Sequence, residues 1–220
     1  PDDKKILEFV LKKYYDIELE RIAVIDTKSC NNLNFYASLR FLDKTTIGDD
    51  FAIIRDADTK SKEMVERNLS NQLKSNINDK FAAKAISLLY ITKYSSIEGF
   101  LFSPELLVSH GLYNKVEDVY DDLQKKLTDD RGNHINYFKR QNKDNTDRID
   151  LFESDYDSKI GDVKGNLDWI KTYIKGHDYF NPTKSKCISY EKYVDELPEE
   201  AFEDLLEFLN NLPYFNDKKL

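Results

Sequence analysis

The chain has 220 residues, of which 34% are charged and 40% hydrophobic, with a formal net charge of −8. This balance is typical of a folded chain with one large domain or a core and an appendage, and it excludes an intrinsically disordered protein. The acidic balance argues against a generally basic nucleic-acid-binding surface, and no apolar run approaches the roughly 20 residues that a membrane helix needs. Cys30 and Cys187 lie far apart without metal-ligand spacing. We therefore expect a reduced, cytoplasmic protein with inert thiols and no membrane partner.

The first predicted element is a helix near the start of the chain. Ile6, Phe9 and Val10 share one face of it, and Pro1 followed by acidic residues is a favourable helix start. A strand that would lead into this helix is absent from the sequence. We therefore expect the first strand of the sheet to be missing and the chain to be a fragment of a longer protein.

Short apolar runs then alternate with helical patterns. The sequence predicts buried strands at residues 21–27, 51–54 and 85–92, and helices at 31–42 and 62–77. Strands that alternate with helices at this spacing indicate parallel β-α-β units with right-handed crossovers.

Beyond Ser103 the alternation ends, and mostly helical patterns follow, of which 163–174 and 197–212 have clear apolar faces. We therefore predict an α/β core over residues 1–110 and a helical insertion or tail, packed on that core, over residues 111–220.

Asp56 and Asp58 follow directly after the apolar run at 51–54. Residues two apart on an extended backbone point the same way, and ligands gather at the carboxyl ends of strands in open α/β sheets. Two carboxylates about 4 Å apart repel by roughly 4 kcal/mol at an effective dielectric of about 20. Mg²⁺ prefers carboxylate oxygen and would remove that repulsion. The pair indicates a metal site, and the alternative is a solvated loop in which Asp58 caps the next helix.

Glu98 is the second chemical signal. It follows the third predicted strand in an apolar setting, beside Phe100 and Leu101. Burying a lone carboxylate is costly, so a metal ion or a lysine is expected beside it. The alternative is a local cap or salt bridge. His110, His134 and His177 lack zinc-ligand spacing, and the sequence contains no glycine-rich phosphate loop.

Three segments occur in an order that matches one known family: Pro1-Asp2-Asp3, Arg55-Asp56-Ala57-Asp58 and Ser96-Ile97-Glu98-Gly99-Phe100-Leu101. The first resembles the end of a Glu-Gly-x-x-Asp motif, and the second resembles an Asp-x-Asp motif. The third is similar to a Ser/Glu-x-Glu-Asn-Tyr-Leu segment, with Gly99 at the Asn position. Together they resemble the Toprim nuclease domain of the OLD (overcoming lysogenization defect) type and of related ATPase-associated nucleases in phage defence. The resemblance covers roughly residues 1–110.

The resemblance implies a Toprim-like small parallel sheet with flanking helices and a Mg²⁺- or Mn²⁺-dependent endonuclease, with DNA favoured over RNA. It implies an ABC-type ATPase domain or subunit as partner in antiviral defence, and it is compatible with a homodimer. The metal ligands would be Asp56, Asp58, Glu98 and Asp3, with a Glu that would precede Pro1. Lys175 would be the catalytic cation, because Lys175-Gly176-His177-Asp178 is similar to a Lys-Gly-Lys-Asp-like stretch of the family. Lys60, close to the aspartate pair, is the alternative.

Two other interpretations stay open. The leading Glu of the family is not in this sequence, and if the whole protein lacks it as well, the chain would be a Toprim module that has lost catalysis and serves in docking or dimerisation. The other is a different Mg²⁺-dependent phosphoryl-transfer enzyme on a sheet of the same class. Asp56 would be its nucleophile, and Thr92-Lys93 would lie at a later strand end.

Overall fold

The computed structural model describes residues 2–17, 22–25, 51–176, 179–180 and 188–220. The predicted helix at 31–42 lies outside this part of the chain, as do Cys30, Cys187 and His177. Of the predicted strand at 21–27, residues 22–25 are described and are not in a strand. In the described part, the chain is an α/β protein in which helices predominate over a small parallel sheet.

The described elements follow one another along the chain, with two short 3₁₀ helices among the α-helices. In order they are α1 Asp2–Tyr14, β1 Ile53–Arg55, α2 Lys62–Asn76, α3 Asp79–Ser87, β2 Leu89–Ile91, a 3₁₀ helix Ile97–Leu101, α4 Pro104–Ser109, α5 Val116–Asp129, α6 Arg131–Gln141, α7 Thr146–Gly161, α8 Leu167–Tyr173, α9 Tyr190–Glu196, a 3₁₀ helix Glu199–Phe202 and α10 Glu203–Asn210.

The sheet of the described chain has two strands, and they are parallel, as the sequence predicts. β1 pairs with β2 in the register Ile53 to Leu89 and Arg55 to Ile91. The predicted strand at 85–92 is wrong in its first half, where α3 continues to Ser87. The physical reason is that Phe81 and Ala85 lie four residues apart on one buried face of α3. This spacing and the capped start of the helix favour a helix over an extended strand.

Residue contacts divide the chain into two compact units, and each is discontinuous in sequence. The first unit comprises Pro1–Arg55, Ser61–Ile91 and Phe202–Leu220, and the second comprises Asp56–Lys60 and Thr92–Ala201. This division differs from the predicted boundary at residue 110. The aspartate loop groups with the helical region, and the last helix groups with the sheet.

The core of the first unit includes the face between α2 and α3. The hydroxyl of Ser61 accepts a hydrogen bond from the Met64 N–H and starts α2, which buries Leu69 and Leu73 fully. Phe51 stacks on Phe81 with ring centroids 5.5 Å apart. In the same unit, the Tyr15 hydroxyl donates to Asn210 Oδ1 at 2.8 Å and ties the end of α1 to α10.

The core of the second unit is a stack of aromatic rings. Phe138 is fully buried and lies 3.9 Å from Phe152 between ring centroids, and Phe152 stacks on Trp169 at 5.5 Å. Residues 142–150, which are rich in Asn and Asp, lead into the helix α7, and Asn145 caps this helix by accepting a hydrogen bond from the Arg148 N–H. Within the described residues, every helix falls short of the length and apolar character that crossing a membrane requires.

Candidate functional site

Two loops meet within the second unit. The loop Asp56–Lys60 follows β1, and residues 92–96 follow β2. The Ala57 N–H donates to Thr92 Oγ1 at 3.1 Å, the Asp58 N–H donates to the Ser95 carbonyl at 2.9 Å, and the Ile97 N–H donates to Asp56 Oδ1 at 2.9 Å. The aspartate loop therefore lies directly against the turn that carries Glu98.

Asp56 is a half-buried carboxylate at the start of the 3₁₀ helix Ile97–Leu101. One of its oxygens accepts the hydrogen bond from the Ile97 N–H, a charge-assisted bond of the stronger kind. This bond fixes Asp56 beside the segment of Glu98. Sequence reasoning placed both residues at strand ends, and the structure brings these two strand ends together.

Asp58 lies in a left-handed turn. Its φ is +52°, that of Thr59 is +64°, and the Lys60 N–H closes the turn by donating to the Ala57 carbonyl at 2.9 Å. The argument that Asp56 and Asp58 share a direction on an extended backbone is therefore wrong, because the extended conformation ends before Asp58. The alternative of Asp58 as a helix cap is wrong too, since Ser61 caps α2.

Tyr137 of α6 connects Asp58 with Lys175. The Tyr137 hydroxyl donates a long hydrogen bond of 3.4 Å to Asp58 Oδ1, and Lys175 Nζ lies 5.8 Å from the centre of the tyrosine ring. Burial raises the pKa of Tyr137 to about 12, and the charge of Asp58 adds to this shift. The hydroxyl therefore stays protonated and acts as a donor at neutral pH. Arg140 lies 5.4 Å from the centre of the same ring, so two cations stand near the Tyr137 ring.

Glu98 is buried, with 2% of its surface exposed, as the apolar sequence around it predicts. The segment that bears Lys175 packs beside this turn, because the Ser95 hydroxyl donates to the Ile174 carbonyl. A Cβ at position 176 would overlap the Ser96 hydroxyl, so the close approach requires Gly176. Lys175 therefore lies near both acidic segments, which are the Asp56–Lys60 loop and the turn of Glu98.

The donor atoms suit a hard cation. Ser96 Oγ is buried and makes no hydrogen bond within the described part of the chain, and it lies in the sequence between Ser95 and the N–H that binds Asp56. Carboxylate and hydroxyl oxygens fit Mg²⁺ or Mn²⁺ better than zinc. Among the described residues, no group of three or more His, Cys, Asp or Glu side chains is arranged to hold a metal ion. The carboxylates thus lie on adjoining segments without a closed ligand set.

The two remaining candidates differ in position. Lys60 is half-buried at the end of the aspartate loop. Asp3 is exposed in the first turn of α1, in the first unit, and its role as a ligand stays a prediction.

Lys171 is a residue that sequence reasoning missed. Its ammonium donates to the Phe102 carbonyl at 3.1 Å and lies 4.9 Å from the centre of the Tyr94 ring, while its own carbonyl accepts from the Ser95 N–H at 2.9 Å. Burial lowers its pKa to about 8, and the charge of Asp168 opposes this shift in part. The available signal was its spacing, because Lys171 falls on the apolar face formed by Leu167 and Ile174.

Comparisons of the chain with protein-family models, curated proteins and solved structures yield no match. The resemblance to the Toprim family therefore remains a hypothesis based on the three motifs.

Proposed function

We propose that the chain carries a Toprim-like nuclease centre of the OLD type that cleaves phosphodiester bonds with Mg²⁺ or Mn²⁺, in DNA rather than RNA. The observation that supports this best is the set of three hydrogen bonds that join the Asp56–Lys60 loop to residues 92–97. They hold Asp56 beside the Glu98 turn, after two parallel strands, where ligands gather in α/β sheets.

In this proposal Asp56, Asp58 and Glu98 would hold the metal, which would have to draw their carboxylates together because they do not form a closed ligand set among the described residues, and Ser96 would supply a neutral oxygen. The bound metal would polarise the phosphate, lower the pKa of an attacking water and stabilise the leaving oxygen. Lys175 lies 5.8 Å from the centre of the Tyr137 ring, whose hydroxyl donates to Asp58, and would neutralise charge that develops on the phosphate. Tyr137 donates to Asp58 and keeps its carboxylate in place.

The alternative of a phosphoryl-transfer enzyme with Asp56 as nucleophile loses support. Its Thr92 is buried, and the hydroxyl already accepts from the Ala57 N–H and donates to the Tyr94 carbonyl at 2.8 Å. Its Lys93 lies 3.5 Å from Asp168 in an exposed ion pair. Both side chains therefore already have other partners.

The wider role follows from the same resemblance. We propose that the centre acts beside an ABC-type ATPase domain or subunit in antiviral defence, in the cytoplasm. The alternative, a Toprim module that serves only in docking or dimerisation, differs from this proposal in one measurable respect, which is cleavage.

A plasmid-nicking assay on the intact protein with Mg²⁺ or Mn²⁺ tests the proposal, with a chelator as control and a structured RNA as second substrate. Asp58→Ala and Glu98→Gln should each lower the rate at least about 100-fold, by comparison with the 10- to 100-fold effects of groups that only support metal ligands. Glu98→Gln keeps the shape of the buried side chain, so its loss of activity is not a packing effect. Asp150→Ala, an exposed aspartate of α7, is the matched control and should cut normally.

Cleavage of neither nucleic acid with any metal, or full activity of Glu98→Gln, would refute the nuclease proposal. The docking module would then be the better account.

A further inference from the structure

The aspartate loop has an unusual backbone. Asp58 and Thr59 are consecutive residues with positive φ, at +52° and +64°. Such values are uncommon for any residue with a side chain, and they are a genuine outlier for a β-branched one such as threonine. Strained residues of this kind persist only where the surrounding structure holds them. Thr59 is also fully buried, so protein groups and not bulk water must stabilise its backbone conformation.

The residues that stabilise this backbone conformation lie more than 80 positions further along the chain. The carbonyl of Thr59 accepts two hydrogen bonds, one from Asn142 Nδ2 at 3.3 Å and one from Arg148 Nη2 at 3.1 Å. Arg148 Nε in turn donates to Asn142 Oδ1 at 3.2 Å. The three groups form a closed triangle in which both side chains bind one carbonyl and each other.

The two side chains of this triangle are themselves fixed. Asn142 is fully buried, and its amide also donates to the Phe138 carbonyl at 3.0 Å, so all its polar groups have partners. The guanidinium of Arg148 lies 5.0 Å from the centre of the Tyr173 ring and 5.6 Å from that of Phe138. The aromatic core of the second unit thus sets where the Thr59 carbonyl is held.

We propose that Asn142 and Arg148 are positioning residues for the metal site, which hold the Thr59 carbonyl and thereby keep the preceding Asp58 in its left-handed conformation. This inference rests on the proposed function. Both residues would act through the Thr59 carbonyl and not by direct contact with metal or substrate. Loss of the triangle would let the turn relax toward negative φ, and the Asp58 carboxylate would leave its position at the Tyr137 hydroxyl.

The test measures Mn²⁺ binding by titration calorimetry and DNA cleavage by the intact protein, for Asn142→Asp and Arg148→Lys. Asn142→Asp keeps the acceptor for Arg148 and removes the donor to Thr59. Arg148→Lys keeps the charge and removes the planar fork. Each should weaken Mn²⁺ binding about 10- to 100-fold and lower kcat, while KM for DNA should change little, because both side chains bind the Thr59 carbonyl and not, in this proposal, the phosphate.

Arg131→Lys is the matched control. Arg131 also makes two hydrogen bonds, to Asp157 at 2.7 and 3.0 Å, and its guanidinium lies 5.6 Å from the centre of the Tyr156 ring in the same unit. None of these contacts involves the aspartate loop, so the Mn²⁺ affinity of Arg131→Lys should equal that of the wild type. An additional variant, Thr59→Gly, should reduce the effect of Arg148→Lys, since glycine adopts positive φ without steric cost.

The outcomes separate the two proposals. If wild type binds Mn²⁺ and Asp58→Ala does not, but Asn142→Asp and Arg148→Lys bind it normally and change only the thermal midpoint, the positioning role is refuted and the nuclease proposal stands. An equal loss of affinity in Arg131→Lys would also refute it, as a general effect of stability. If wild type binds no Mn²⁺ and cuts nothing, the proposed function fails, and a positioning role for its metal site fails with it.

Discussion

Lys171 makes the stability of the protein depend on pH in a direction that is unusual for a lysine. Its ammonium is buried, and burial lowers its pKa from 10.5 to about 8. In the unfolded chain the side chain regains its ordinary pKa. Between these two values the unfolded state therefore binds more protons than the folded state, and the free energy of unfolding rises as pH rises. Below pH 8 the charged, buried lysine destabilises the fold.

The size of the effect follows from the two pKa values. Raising the pH from about 7 to about 9.5 should increase the free energy of unfolding of the wild type by about 2 kcal/mol relative to Lys171→Met, which has no charge to bury. Above about pH 10 the tyrosines reverse the trend, because burial raises the pKa of Tyr137 to about 12 and the folded state then holds the extra proton. The window for the lysine is therefore pH 8 to 10.

Urea unfolding at several pH values measures this difference. Trp169 is the single tryptophan of the chain and lies in α8, two residues before Lys171, so its fluorescence reports on the unfolding of this region. Lys93→Met is the matched control, because Lys93 lies 5.1 Å from the centre of the same Tyr94 ring but is half-exposed. Its removal should shift the pKa of Lys171 only slightly upward. A pH-independent difference between wild type and Lys171→Met, or an equal change in Lys93→Met, would refute the reasoning.

Three further outcomes are expected. Asp56→Asn should keep the acceptor for the Ile97 N–H and fold normally while Mn²⁺ affinity falls, whereas Asp56→Ala should also lose about 1–3 kcal/mol in urea unfolding. Gly99→Ala should lose about 1–3 kcal/mol, since a Cβ there would lie 2.6 Å from Tyr94 Cβ, while Gly132→Ala, with open space around it, should be neutral or stabilising by up to about 1 kcal/mol in the same measurement. Ca²⁺ should bind in calorimetry but support little plasmid nicking, because its coordination is looser than that of Mg²⁺.

Local signals in the sequence predict part of this fold well. The helix at 62–77 begins after Ser61 and ends one residue before the predicted limit, because a cap and a regular apolar face both mark it. The parallel pairing of the strands follows from the helices between them. The error at 85–92 arises because a short apolar run does not distinguish a strand from the end of a helix.

The candidate site shows where such signals end. Burial of Glu98 is predictable from its apolar neighbours. The left-handed conformation of Asp58 is not, because it depends on hydrogen bonds between Thr59 and residues 83 and 89 positions away. No local pattern contains that information. Lys171 is an intermediate case. Its position on an apolar helix face follows from the sequence, but its burial follows only from the packing of the folded chain.

The sequence separation of these partners also orders events during synthesis. At roughly 5–20 residues per second, a ribosome that has completed Thr59 needs roughly 4 to 18 seconds more to add Arg148, 89 positions later. Asn210, the partner of the Tyr15 hydroxyl, is added later still, because it lies 195 positions further along the chain. During this interval the nascent aspartate loop has its carboxylates but lacks the hydrogen bonds from Asn142 and Arg148 to Thr59. It reaches its final conformation only after α5, α6 and the start of α7 have been made.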